Sequence, residues 1–149
     1  YWELCLTMND SWGFQQNDKN YKSSMQIIDI FVDVISKGGN LLLNIGPKSD
    51  GTIPNEQESI LKDLGKWIKK HESAVYKTKS GIPYDHFYGP TTLDRKGETL
   101  YLFVVSKKEK IDTTIEKQIV NNFGSYALPK KIFYLDLKEI KKKKIKKLV

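Results

Sequence analysis

The opening stretch YWELCLTMNDSWGF sets one carboxylate, Glu3, among apolar and aromatic residues, with two tryptophans, Trp2 and Trp12, ten positions apart. A carboxyl group held against large flat rings is shielded from water, which disfavours its charged form and raises its pKa. A general acid working near neutral pH needs that condition, so Glu3 is a candidate acid/base. The plainer reading is a structural glutamate that hydrogen-bonds a neighbouring loop or an arginine. Trp2, in a strand-like run, suits a core position. Trp12, in a polar stretch, either anchors its loop or offers a ring to a ligand. The other chemistry-bearing residue types are sparse. The single cysteine, Cys5, excludes an internal disulfide, and with only His71 and His86 beside it no metal-ligand spacing is recognisable. No metal and no cofactor is expected.

The elements that must position these residues follow a rhythm. Leu4, Leu6 and Met8 alternate with Cys5 and Thr7, which predicts a short strand, and the polar stretch from Asn9 to Asn20, carrying Trp12, Gly13 and Phe14, reads as a loop. From Ser24, the expected N-cap, Ile28, Phe31, Val32 and Ile35 recur at helical spacing, and Ile27, Ile30 and Val34 widen the stripe until most of the helix is buried. Gly38 and Gly39 end it. In NLLLNIGPKSDGTIP the near-continuous run Leu41, Leu42, Leu43 and Ile45 suits a parallel strand covered on both faces. Gly46-Pro47 stops that strand and Asp50-Gly51 makes a turn capped by Asp50. Asn55 and Glu58 have capping-box spacing for a helix bearing Ile60, Leu61, Leu64, Trp67 and Ile68. Asn40 and Asn44 bracket the strand, where their amides can satisfy loop backbone groups.

The order is therefore strand, loop, helix, twice over, with long connections after the strands and a very short return at Lys37–Gly39. A (β/α)8 barrel has that asymmetry, because the loops after its strands build the active face. Glu3, Trp12 and the 46–54 loop would then belong near that face. A doubly wound sheet shares the same order. After Thr78 the rhythm changes: TTLDRKGETLYLFVV reads as strand, turn, strand, and Thr113 to Ile119 and Lys131 to Leu137 continue in strand-sized pieces. Leu100, Leu102 and Val104 alternate with Tyr101, Phe103 and Val105, so both faces of that strand are apolar, as in a sandwich. The boundary is placed near Thr78 to Gly81.

The chain has 149 residues and a net charge of +7, but the charge is local. Leu137 to Val149 holds seven lysines against Glu139, a net of +6, which leaves +1 for everything before it. Lysines without arginine or interleaved aromatics lack the bidentate and stacking groups of base readers, so this end reads as solvated and no nucleic-acid partner is expected. A polyanion-binding tail is the competing reading. No apolar run approaches the roughly 20 residues of a membrane span, and no signal peptide is visible.

Together WELCLTMNDSWGF, GGNLLLNIGPKSDGTIP, LKDLGKWIKKHESAVYKT and GETLYLFVV resemble the C-terminal portion of an α-L-fucosidase of glycoside hydrolase family 29. The first two segments are the specific ones: a Trp-Glu strand leading to a Ser-Trp-Gly-aromatic loop, and a Gly-Gly-Asn strand ending in Asn-Ile-Gly-Pro and Asp-Gly-Thr-Ile-Pro. The likeness covers about residues 1–105 well and the rest weakly. Two departures stand out: Ser73 occupies a position where the family commonly has an acid, and the lysine-rich end replaces expected sandwich strands.

The resemblance implies a retaining exo-glycosidase that removes terminal α-L-fucose from glycans. Its fold would be α/β, with residues 1–78 as the closing β/α units of a (β/α)8 TIM barrel and 79–149 as a partial C-terminal antiparallel β-sandwich with a lysine-rich tail. It implies that the nucleophilic aspartate belongs to an earlier strand, that the acid/base is either Glu3 or a residue upstream of Tyr1, and that Trp12 covers the sugar, with Trp2 a second candidate contact. The 149-residue chain alone is then expected to be inactive. The expected partner is a fucosylated glycan or glycoconjugate, and the parent enzyme, a candidate homo-oligomer, is expected to be secreted, periplasmic or lysosomal. The alternatives are a non-catalytic carbohydrate-binding or structural β-domain protein and a basic protein that owes its affinity to the lysine end.

Overall fold

Strand β1 (Glu3–Thr7) and strand β2 (Asn40–Asn44) pair in parallel, with Glu3 opposite Asn40 and Thr7 opposite Asn44. Parallel neighbours cannot be joined by a hairpin; helix α1 (Ser24–Ser36) supplies the crossover and packs against β2 and against helix α2 (Asn55–Lys70). The computed structural model describes residues 1–83, 87, 89–104, 131–136 and 143–144. The chain divides into two units, Tyr1–Glu72 and Ser73–Val149.

Alternation along the paired strands puts Leu4, Leu6, Leu41 and Leu43 at half-buried positions and Glu3, Cys5, Asn40 and Leu42 at exposed ones. The expectation that β2 is covered on both faces is thus not met: Leu42 is 51% exposed. The reason is that the helices form one layer and nothing among the described residues covers the other face of the strand pair.

The ends of the helices differ from the sequence reading in detail. Ser23, not Ser24, caps α1: its extended backbone (φ −67°, ψ 157°) lets the hydroxyl accept from Gln26 N–H while the Gln26 side chain accepts from Ser23 N–H at 2.8 Å, a full capping box. At the other end Gly38 takes φ 74°, its N–H reaches Ile35 C=O and the Gly39 N–H reaches Val34 C=O, both at 3.0 Å, which satisfies carbonyls left over by the last turn. The Trp2 indole lies where a side chain on Gly39 would stand and donates to Lys37 C=O at 3.3 Å. Helix α2 has no side-chain cap. Pro54 precedes it, and because Asn55 is already its first helical residue the expected Asn55/Glu58 box is not made. Glu56 and Glu58 in its first turn and Lys69 and Lys70 in its last complement the helix dipole instead.

The core of the first unit is the seam between these helices. Ile27, Ile28, Val32 and Val34 of α1 and Ile60, Leu64 and Trp67 of α2 are buried. The Trp67 ring meets Phe31 edge-on, with centroids 6.3 Å apart and planes at 90°, and the His71 ring is tilted against it at 4.8 Å between centroids.

Helix α3 (Glu72–Val75) spans the division between the units. After it come β3 (Thr78–Ser80), β4 (Thr91–Asp94), β5 (Thr99–Val104), β6 (Lys131–Asp136) and β7 (Lys143–Lys144), forming one five-stranded sheet in sequence order. The expected strand-turn-strand is β4–β5, joined through Gly97 at φ 75° with its N–H on Asp94 C=O. The sheet is mixed rather than antiparallel as expected: β5 and β6 run parallel, Thr99 opposite Lys131 through Val104 opposite Asp136. The 26 residues between those strands are long enough for the crossover that parallel neighbours require, where a hairpin would have reversed the chain. Phe87, Leu100, Leu102 and Phe103 are buried in this unit. The expected strand at Thr113–Ile119 lies outside the described residues, as does the lysine-rich end apart from Lys143 and Lys144. Among the described residues no helix is long and apolar enough to cross a membrane.

Candidate functional site

Because β1 and β2 are parallel, the chain leaves both at the same end, and the two long connections, 8–23 and 45–54, meet there. The meeting is specific. The Asn44 side-chain amide donates to the Trp12 carbonyl at 2.5 Å. Gly46 lies so close that a Cβ on it would stand 2.9 Å from Gly13 C and from Phe14 N. The Gly46 N–H, in turn, donates to Gln57 Oε1 of α2 at 2.9 Å. Beyond it, Asp50 Oδ1 accepts from the Thr52 N–H (2.9 Å) and hydroxyl (2.7 Å), and Gly51 takes φ 81° to close the turn.

The connection carrying Trp12 is tied at its neck and within its tip. At the neck, Lys22 N–H donates to Met8 C=O at 2.8 Å, and the Thr7 hydroxyl and Lys22 Nζ both donate to Asn9 C=O. Within the tip, the Asp18 carboxylate accepts from the Asp10 N–H (3.1 Å), the Ser11 hydroxyl (2.7 Å) and the Asn20 N–H (3.2 Å), while Asp10 accepts from the Asn20 amide at 2.8 Å. Trp12 and Phe14 project from this braced loop, 60% and 37% exposed. An exposed indole on a loop held at so many points is pre-organised for contact, since little entropy remains to be lost on binding.

Two carboxylates at this end are ionised at neutral pH and so hold no proton to donate. The Ser11 hydroxyl, together with backbone N–H groups, holds Asp18 below the usual aspartate range, and the Thr52 hydroxyl and N–H do the same for Asp50. Among the described residues, no group of three or more His, Cys, Asp or Glu side chains is placed to hold a metal ion.

The sequence-predicted residues separate. Trp12 stands at the carboxyl end of the strands with Asn44 and Gly46. Glu3 is the first residue of β1 and Trp2 precedes it, so both lie at the amino end, on the order of 13 Å from Thr7 at a strand's rise per residue. This corrects the expectation that Glu3 shares the active face with Trp12: the length of β1 lies between them. Glu3 is exposed, and Trp2 is engaged with Lys37 and Gly39. Sequence reasoning missed Asp18, Tyr21 and Gln57. For Gln57 a signal existed: it stands three residues before Ile60 on the stripe Ile60, Leu64, Trp67, a polar residue on an apolar face.

A sequence model of the family described as alpha-L-fucosidase matches residues 1–73. Plasma alpha-L-fucosidase of Homo sapiens is 39% identical over 80 residues, which are 52% of this chain and 17% of that relative. The alpha-L-fucosidase of Branchiostoma floridae is 40% identical over 81 residues, 52% of this chain and 18% of that relative. Among solved structures, the alpha-L-fucosidase from Vibrio sp. strain EJY3 is similar with TM-score 0.63 and 38% identity, covering 68% of this chain and 18% of that one. A glycoside hydrolase family 29 alpha-L-fucosidase from Bacteroides thetaiotaomicron, solved as a trapped covalent intermediate with 2-fluoro-fucosyl fluoride, is similar with TM-score 0.65 and 28% identity, covering 72% of this chain and 25% of that one. The chain spans about a sixth of the length of the curated relatives it matches.

Proposed function

Residues 1–73 belong to the alpha-L-fucosidase family, and from that premise we propose that this chain is the closing part of an exo-glycosidase that releases terminal α-L-fucose from glycans with retention. Residues 1–78 supply the last β/α units of a (β/α)8 barrel and residues 79–149 the start of a β-sandwich domain. The parallel pair β1–β2 supports the barrel, because a two-stranded parallel sheet with two open edges and a bare face is not self-sufficient. Further strands along both edges would turn that bare face, with Cys5 and Leu42, into the packed barrel interior.

The observation that carries the substrate reading is the exposed Trp12 ring on a braced loop at the carboxyl end of the strands. Fucose is a 6-deoxy sugar, and its methyl group with the neighbouring axial C–H groups makes an apolar face that an indole covers while water leaves both surfaces. Retaining hydrolysis needs two carboxyl groups roughly 5–5.5 Å apart, one to attack the anomeric carbon and one to protonate the leaving oxygen. Asp18 and Asp50 are held ionised by their loop bonds, and Glu3 is at the other end of β1. In this reading both catalytic carboxyls come from barrel segments outside this sequence, as the family resemblance implies, while Trp12 covers the sugar and Trp2 and Glu3 serve the scaffold. A covalent intermediate like the one trapped in the Bacteroides relative is what a retaining route forms.

The test is the anomer first released. The full-length polypeptide containing this segment, given an aryl α-L-fucoside and followed by NMR faster than mutarotation, should release α-fucose first. Initial β-fucose would remove retention, and cleavage of another terminal α-sugar in place of fucoside would remove the substrate.

A further inference from the structure

We propose that Gln57 is the positioning residue for the Trp12 loop, holding it in its fucose-binding place through Gly46; the proposal rests on the reading of Trp12 given above. Gln57 is 2% exposed and stands near the start of α2 on the buried stripe that continues through Ile60, Leu64 and Trp67. A primary amide buried there is unfavourable unless both its halves find partners. Its oxygen accepts the Gly46 N–H at 2.9 Å. The same side chain also interacts with the Tyr21 phenol, near the return of the 8–23 connection. One side chain thus joins α2 to both connections at the carboxyl end of the strands.

Gly46 carries the constraint onward. A Cβ there would stand 2.9 Å from Gly13 C and Phe14 N, so the two backbones are in direct contact and a displacement of one is passed to the other. Two residues before Gly46, the Asn44 amide holds the Trp12 carbonyl. A leucine or methionine at position 57 would fill the same apolar stripe equally well but would leave the buried Gly46 N–H unpaired. The amide at this position therefore serves orientation of the two connections rather than packing of the helix.

The test is a set of cycles in the full-length polypeptide, read as KM and kcat on an aryl α-L-fucoside beside thermal stability. Gln57→Met, which keeps the volume and removes the bond to Gly46, should raise KM about tenfold with kcat within about twofold of the parent, the pattern of lost binding without lost chemistry. On a Trp12→Ala background the same change should raise KM no further, because its effect passes through that ring. Tyr21→Phe, a gentler change that removes only the phenol's interaction with Gln57, should act in the same direction with a smaller rise, and its cycle with Trp12→Ala serves if Gln57→Met does not accumulate as folded protein. A lowered melting temperature with KM unchanged, or a KM effect that adds fully to that of Trp12→Ala, would overturn the positioning role and leave the fucosidase reading standing. If Trp12→Ala itself leaves KM unchanged, the reading of Trp12 falls and this inference falls with it.

Discussion

The side-chain amide of Asn44, at the last position of β2, donates to the main-chain carbonyl of Trp12 at 2.5 Å across 32 residues of sequence. Register between the two strands is fixed by their ladder, which puts Thr7 opposite Asn44; register between the two loops is fixed by this one bond and by the contact of Gly46 with Gly13 and Phe14. The bond uses the Trp12 backbone, so the indole is left to face outward.

Replacing Trp12 with Ala in the full-length polypeptide should therefore leave the loop in place and weaken fucose binding by about 1–3 kcal/mol, the scale of one lost aromatic contact. No titrating group is removed, so the pH optimum should stay where it was. Inhibition by free fucose across a pH series measures both quantities at once, and a shifted optimum would mean that the ring tunes a catalytic carboxyl rather than covering the sugar.

Glu3→Gln tests a different end of the strand. With Glu3 at the amino end of β1, the change should lower activity equally on well-activated and poorly activated fucosides, through stability alone, and azide should not restore it. Selective loss on poor leaving groups with azide rescue would identify Glu3 as the acid and overturn its scaffold role.

The contrast between these two residues marks how far the sequence could be read. The apolar alternation of Leu4, Leu6, Leu41 and Leu43 and the helical stripes of α1 and α2 are periodic signals, and the parallel pair with its crossover follows from them. Asp50 and Thr52 are two residues apart, so their turn is local and legible. What was not legible is set by long-range geometry. The nearness of Glu3 to Trp2 in sequence suggested a shared environment with Trp12, but a strand separates in space what a motif joins in text. Asp18 binds Asp10 across eight residues, and Gln57 binds Gly46 across eleven. No periodicity announces such pairs. The parallel partner of β5 arrives only after 26 residues, and local alternation cannot tell a parallel neighbour from an antiparallel one.

Asp18 gives the Trp12 loop an acid limit. Its folded pKa lies below the ordinary value of 3.8, chiefly through the Ser11 hydroxyl, so the carboxylate's bonds contribute in full above 3.8 and are lost as the pH falls through the lower folded value. Amide protection at residues 10–20, taken relative to the intrinsic exchange rate at each pH, should accordingly hold down to the ordinary aspartate range and fall below it. In Asp18→Asn the loop should be looser at neutral pH and its exchange should lose that acid step. An acid step that persists in the variant would assign it to another carboxylate.

The 149-residue chain by itself should not turn over fucosides. Retaining hydrolysis requires a nucleophile and an acid at one sugar, and in this reading both lie on barrel strands that the sequence does not include. Among the described residues the strand pair β1–β2 also has open edges and a bare face on which Leu42 is 51% exposed, and such a surface promotes association with other chains. Purified alone, the chain should sediment as associated species and release no nitrophenol from an aryl α-L-fucoside. Hydrolysis at a rate comparable to that of a complete relative would overturn the assignment of the catalytic carboxyls, since it would require a working pair among this chain's own carboxylates. A monomeric, folded chain that binds fucose without cleaving it would instead favour a carbohydrate-binding module, with Trp12 as its platform and no chemistry attached.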